Sequence, residues 1–157
     1  MANRSVTHST FAIERSYPVP PERVFAAFVD PAAKRRWYGE HESMSVEEFQ
    51  MDFRVGGRDH VRYRFGPNSP FPGAILANET TYQDIVPERR IVIAYTMAIN
   101  DKCFSASQAT FEFVPSADGT DLIFTEQGAY FEGSDGPKMR EDGWRKLLDK
   151  LAGWLAS

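Results

Sequence analysis

A chain of 157 residues with 42% hydrophobic content and a formal net charge of -4 has the size of one domain, spanning 1–157, with enough material for a full core. The acidic balance argues against a nucleic-acid partner, which needs clustered Lys and Arg, and the one cysteine, Cys103, excludes an internal disulfide and any cysteine-rich metal site. The N-terminal MANRSVTHSTF has no secretion-type apolar core, and no apolar run approaches the roughly 20 residues that cross a bilayer, so the expectation is a cytoplasmic protein without membrane insertion.

Thr7 to Tyr17 alternates as a half-buried strand should, with Phe11, Ile13 and Tyr17 on one parity. Pro20 and Pro21 then suit the first turn of a helix that carries Val24, Phe25 and Phe28 and ends at Asp30. A second short helix is predicted from Pro31 to about Tyr38, stopped by Gly39. From Met44 to Gln127 the pattern becomes β, and turn signals divide it into strands at Ser45 to Val55, Arg58 to Phe65, Ala74 to Val86, Arg89 to Ile99, Lys102 to Val114 and Thr120 to Gln127. Such closely spaced strands form an antiparallel meander.

The last segment, Gly136 to Ser157, reads as one amphipathic helix. Leu147, Leu148, Leu151 and Leu155 share an apolar stripe with Trp144, and Lys146, Asp149 and Lys150 point away. Only this helix is long enough to cover the apolar face of a seven-stranded sheet, so the sheet must curl around it.

Several stretches carry a family resemblance: YPVPPERVFAAFVDPAAKRRWYG near the start, FRVGGR at 53–58, DIVPERRIV at 84–92, ATFEFVPSADGTDLIFTEQG at 109–128 and GWRKLLDKLAGWL at 143–155. In this order they resemble the START-related, Bet v 1-like (SRPBCC) superfamily, and within it the bacterial branch named after the activator of the Hsp90 ATPase. The resemblance implies an α+β helix-grip fold: a seven-stranded curved antiparallel sheet around a long C-terminal helix, with two short helices between strands 1 and 2, enclosing a mostly apolar cavity. It also admits a homodimer. Activity is not implied, because the superfamily includes lipid carriers, polyketide cyclases, hormone receptors and chaperone regulators.

Strand parity names the side chains that would face such a cavity: Val61, Tyr63 and Phe65, then Ile91, Ile93, Tyr95 and Met97, then Ala109, Phe111 and Phe113, then Leu122 and Phe124. Large aromatics on a concave face either fill it or wall a ligand space, and both readings stay open. Three charges break this parity: Arg15, Asp59 and Glu126. Each must pair, titrate or emerge into solvent. With strand 1 antiparallel to the last strand, Arg15 lies far from Glu126, which is expected near the cavity mouth, where Arg140 on the final helix could meet it.

Other signals carry less. The cationic runs Lys34-Arg35-Arg36 and Arg58, Arg62, Arg64 read as solvated faces. Glu40-His41-Glu42 is a poor metal set because adjacent side chains seldom converge on one ion. No nucleophile elbow or nucleotide loop is present, and Cys103 reads as a packed small side chain. Gly143 and Gly153 each cost about 1 kcal/mol inside a helix, so Gly143 is expected to allow close approach to the sheet or to leave room for a ligand.

The leading expectation is a binding protein for a small hydrophobic or aromatic molecule, with no cofactor and no metal. Its predicted wall is Phe28, Trp37, Tyr63, Tyr95, Met97, Phe111, Phe124, Glu126, Arg140, Gly143 and Trp144. One alternative is a cyclase- or aromatase-like enzyme using Glu126, Tyr95 or Asp59 as acid or base. The other is a co-chaperone-like interaction module. An enzyme is less favoured than a binding protein, and no catalytic residue is assigned.

Overall fold

The structure, a computed structural model, describes residues 5–157. Seven antiparallel strands form one sheet: β1 (Thr7–Tyr17), β2 (Met44–Gln50), β3 (Arg58–Phe65), β4 (Ile75–Val86), β5 (Arg90–Ile99), β6 (Lys102–Ser116) and β7 (Gly119–Tyr130). Their spatial order is β1-β7-β6-β5-β4-β3-β2, a meander whose last strand receives β1 on its free edge. The short helices α1 (Pro21–Val29) and α2 (Pro31–Lys34) follow β1, and the long helix α3 (Gly136–Ala156) closes the chain. The expected α+β helix-grip architecture is therefore present.

Period-2 patterning puts one row of each strand on the concave face. Ile13 and Tyr17, Ile91 and Ile93, Phe111 and Phe113, and Leu122 and Phe124 are all buried there. Helix α3 meets this face along Arg140, Trp144, Leu148, Leu151 and Leu155, spaced by the three- and four-residue steps that keep one stripe inward. At 1.5 Å per residue it is about 30 Å long, enough to cross the whole sheet. Its position along the axis is fixed by the Tyr17 hydroxyl, which donates to the Leu148 carbonyl at 2.9 Å.

At one end the space is filled. Phe28 packs edge-on against Trp37, Phe111 and Phe113 at centroid distances of 4.9 to 5.2 Å, and Trp37 donates its indole N–H to the Ala27 carbonyl at 2.8 Å.

Local structure departs from expectation in four places. β2 ends at Gln50, not Val55. Met51, Phe53 and Val55 alternate like a strand, but the chain turns through Asp52–Gly57, carries Phe53 onto Phe25 and Tyr82, and is tied to β4 by Gly56 N–H to the Tyr82 carbonyl at 2.8 Å. The second helix passes at Arg35–Gly39 into a single wide π turn, the local irregularity found often at functional sites. Cys103 is exposed at the start of β6 and is not packed. β7 runs on to Tyr130, because Gly128 takes no side chain across the returning Tyr130 ring, whose hydroxyl would lie 2.8 Å from a Cβ at position 128.

Lys34 is a further correction, being a buried member of a run that reads as solvated. Its ammonium donates to Asp59 Oδ2 at 2.9 Å and to the Tyr82 hydroxyl at 3.2 Å, while Tyr82 donates to the same carboxylate oxygen. Asp59 therefore breaks the parity of β3 in order to neutralise a cation delivered by α2. Arg35 and Arg36 are exposed. Lys34→Met strands the Asp59 charge, with an expected loss of about 3–5 kcal/mol. The double variant Lys34→Met/Asp59→Leu should recover much of it, as read by urea denaturation. No recovery in the double variant would show that the stranded Asp59 charge is not the source of the loss.

Candidate functional site

Beyond the packed end, α3 and the sheet diverge and leave a cavity of about 180 Å³. The π turn supplies Tyr38, the following loop His41, strands β3 to β5 supply Tyr63, Leu76, Asn78, Tyr95 and Met97, and α3 supplies Met139, Arg140, Gly143, Trp144 and Leu147. It runs on through shared Leu76, Met97, Asp135 and Met139 into an outer groove of about 760 Å³ beneath the β3–β4 loop, where Phe71 and Met139 are exposed.

Of the residues expected at a ligand wall, Tyr63, Tyr95, Met97, Arg140, Gly143 and Trp144 come together on this cavity. Phe28, Trp37 and Phe111 belong instead to the packed end. Phe124 lies behind Trp144, with ring centroids 4.4 Å apart. Glu126 is 0% exposed, so it sits behind the wall and not at the mouth where it was expected. Gly143 does not let the helix approach the sheet: a Cβ there meets no atom within 4 Å, and the residue borders the opening. Leu147, a member of the apolar stripe that was not among the expected wall residues, lines the cavity.

Sequence reasoning missed Tyr38, His41, Met44, Leu76, Asn78, Asp135 and Met139. Asn78 and Leu76 were findable from the parity of β4, whose inward row is Leu76, Asn78, Thr80 and Tyr82. No periodicity announces Tyr38, His41 or Asp135, which come from a π turn and loops.

The wall nearest the start of α3 is a closed polar cluster. Arg140, only 6% exposed, donates from Nε and Nη2 to the two oxygens of Asp135 at 2.8 and 2.9 Å, from Nη2 to Ser105 Oγ at 2.8 Å and from Nη1 to the Tyr95 hydroxyl at 3.1 Å. Tyr95 also accepts from the Trp144 indole N–H at 3.2 Å and donates to Glu126 Oε1; Tyr130 donates to the other Glu126 oxygen at 3.2 Å. Glu126 and Arg140 do meet, at 3.8 Å. Tyr130 reaches Glu126 across Gly128, two residues on along the same face of β7.

Burial pushes the Glu126 carboxyl above its ordinary value, against the pull of Tyr95 and Arg140. Burial and the Glu126 charge push Tyr95 upward as well, so it stays a neutral hydroxyl. His41, in contrast, is held below the ordinary imidazole range by burial and by the Lys150 cation. Asp59 faces the packed end with Tyr82, and Arg15 stays half-buried on the inward row of β1, where it pairs with the exposed Asp149 of α3 at 3.4 Å. No group of three or more His, Cys, Asp and Glu among the described residues is placed to hold a metal ion, and no described helix is long and apolar enough to cross a membrane.

Residues 18–156 match the family model described as Activator of Hsp90 ATPase homolog 1-like protein. The chain belongs to that family. A crystal structure of a protein from Rhizobium loti is 48% identical over 96% of this chain and 99% of its own, with a TM-score of 0.84. Another, from Rhizobium leguminosarum, is 34% identical over 99% of each chain, with a TM-score of 0.89. An AHSA1-like protein from Aeromonas hydrophila, 19% identical over 94% of this chain and 92% of its own with a TM-score of 0.65, shares the fold alone. No curated protein matches the chain. Membership in that family accounts for the helix grip.

A carboxyl whose pKa is raised on folding keeps its proton longer in the folded state than in the unfolded chain. Stability then falls as pH rises from the ordinary carboxylate range through the folded value of Glu126. Glu126→Gln removes that fall, so denaturation midpoints should show the variant gaining on the wild type with rising pH. A pH-independent difference would mean that Glu126 titrates normally.

Proposed function

We propose that this protein binds a small, mostly apolar molecule carrying a single ring, taken up between the first half of α3 and strands β3 to β5. The observation that carries the reading is the cavity itself. Its 180 Å³ is close to the roughly 150 Å³ that holds benzene in a dry protein cavity, and it is walled by aromatics and methionines, with a few polar groups. Sites that hold small molecules share this composition. The outer groove gives room for an apolar substituent longer than the ring.

Trp144 and Tyr95 form a stiff wall because the Arg140 cluster saturates their polar atoms. In this reading Arg140 and Glu126 position the wall and do not touch the ligand. The cyclase-like alternative needs an acid or base within reach of a substrate, and the carboxylates it would use, Glu126 and Asp59, lie behind Tyr95 and Tyr82 with their contacts directed inward. That arrangement favours binding over acid–base chemistry at this wall.

Titration of the ¹⁵N-labelled protein with toluene is expected to shift the backbone resonances of Tyr63, Met97, Gly143 and Leu147. Leu147→Trp, which fills the space from α3, should abolish those shifts while leaving the fold intact. Shifts scattered over the surface, or unchanged in Leu147→Trp, would defeat the reading.

A further inference from the structure

The two walls of the cavity differ in what they offer a ligand. On the α3 side Arg140 is a cation with nothing left to give: of the five N–H donors of a guanidinium, four are engaged by Asp135, Ser105 and Tyr95, and the remaining one, on Nη1, faces the Glu126 carboxylate. Asp135, which neutralises it, also borders the cavity and the outer groove. A carboxylate arriving at this wall would meet a spent cation and a standing negative charge.

The opposite wall has polar capacity to spare. Tyr63 is 4% exposed, yet its hydroxyl has no hydrogen-bond partner among the described residues. It is not one of the sealed orphan atoms, which are Asp59 Oδ1 and Ser107 Oγ, so the oxygen opens onto the cavity that the residue lines. The His41 ring packs edge-on against Tyr63, with centroids 5.4 Å apart, and lines the same space. Held below its ordinary range, His41 is a neutral imidazole; one ring nitrogen donates to the Tyr38 backbone, which leaves the other as an acceptor for a ligand. A ligand that fills the space without bonding to that hydroxyl strips its hydration with no return, and one that bonds to it avoids the loss.

We infer that the cavity selects an uncharged aromatic ligand bearing one hydroxyl or carbonyl group, with that group at Tyr63 and His41 and the ring against Trp144 and Met97. This rests on the ligand-binding reading above and specifies the ligand's chemical class. Carboxylates and other anions of the same shape are discriminated against by Asp135 and by the saturation of Arg140.

Toluene, p-cresol and 4-methylbenzoate share a ring and a methyl group and differ only at the polar end, so dissociation constants from ¹⁵N NMR titration of the full chain isolate that end. The expected order is p-cresol tighter than toluene by roughly two- to tenfold, the worth of one net hydrogen bond, with 4-methylbenzoate weakest. Tyr63→Phe, which removes one oxygen and no packing volume, should bring p-cresol down to toluene without altering toluene. If that variant does not fold, His41→Leu serves the same comparison, with a smaller p-cresol advantage expected. Equal affinity of p-cresol and toluene in the wild type, an undiminished p-cresol advantage in the folded variant, or tightest binding of 4-methylbenzoate would overturn the inference while leaving the cavity reading in place. Failure of all three probes to shift the cavity resonances would remove both.

Discussion

A guanidinium buried between a helix and a sheet must be neutralised and hydrogen-bonded on every side, or its desolvation is not offset. Arg140 meets that demand by drawing together Asp135 from the turn before α3, Ser105 from β6, Tyr95 from β5 and, through Tyr95, Glu126 from β7. The start of α3 is thereby held to the sheet by a network of directional bonds, where the rest of the helix is held mainly by apolar packing of Leu148, Leu151 and Leu155, with the single Tyr17 bond to the Leu148 carbonyl. Polar bonds fix a distance without filling the space beside them. That is why the molecule is dense at one end and hollow at the other.

A second buried ionic cluster, Lys34 with Asp59 and Tyr82, does a different task. It joins α2 to β3 and β4, and around it Phe28, Trp37, Tyr82 and Phe53 close in with no space for a ligand. The π turn that follows α2 then swings Tyr38 across to Trp144, with ring centroids 5.8 Å apart, setting the inner limit of the cavity. Two ion clusters thus bracket the hollow: one anchors its floor, the other its α3 wall.

Much of this was legible in the residues. Period-2 alternation named the inward rows of β3, β5, β6 and β7, and the spacing of Trp144, Leu148, Leu151 and Leu155 named the face of α3. Parity-breaking charges pointed to Asp59 and Glu126, and the meeting of Glu126 with Arg140 followed from topology. What stayed hidden depends on contacts that no period encodes. Lys34 looked solvated because its neighbours Arg35 and Arg36 are, and only the Asp59 carboxylate 25 positions later turns it inward. Met51, Phe53 and Val55 imitated a strand because a loop that packs on a core also alternates. His41 and Asp135 lie in segments without regular structure, so their place at the cavity is set by where the flanking elements end.

The space between Tyr63, Met97, Trp144 and Leu147 stands open and apolar in the folded protein. A crystal of the unliganded chain pressurised with xenon tests this directly, since xenon enters dry apolar cavities of this size. One well-occupied xenon site is expected within contact of Trp144 and Met97. Side chains collapsed into that volume, or xenon bound elsewhere with none there, would contradict it.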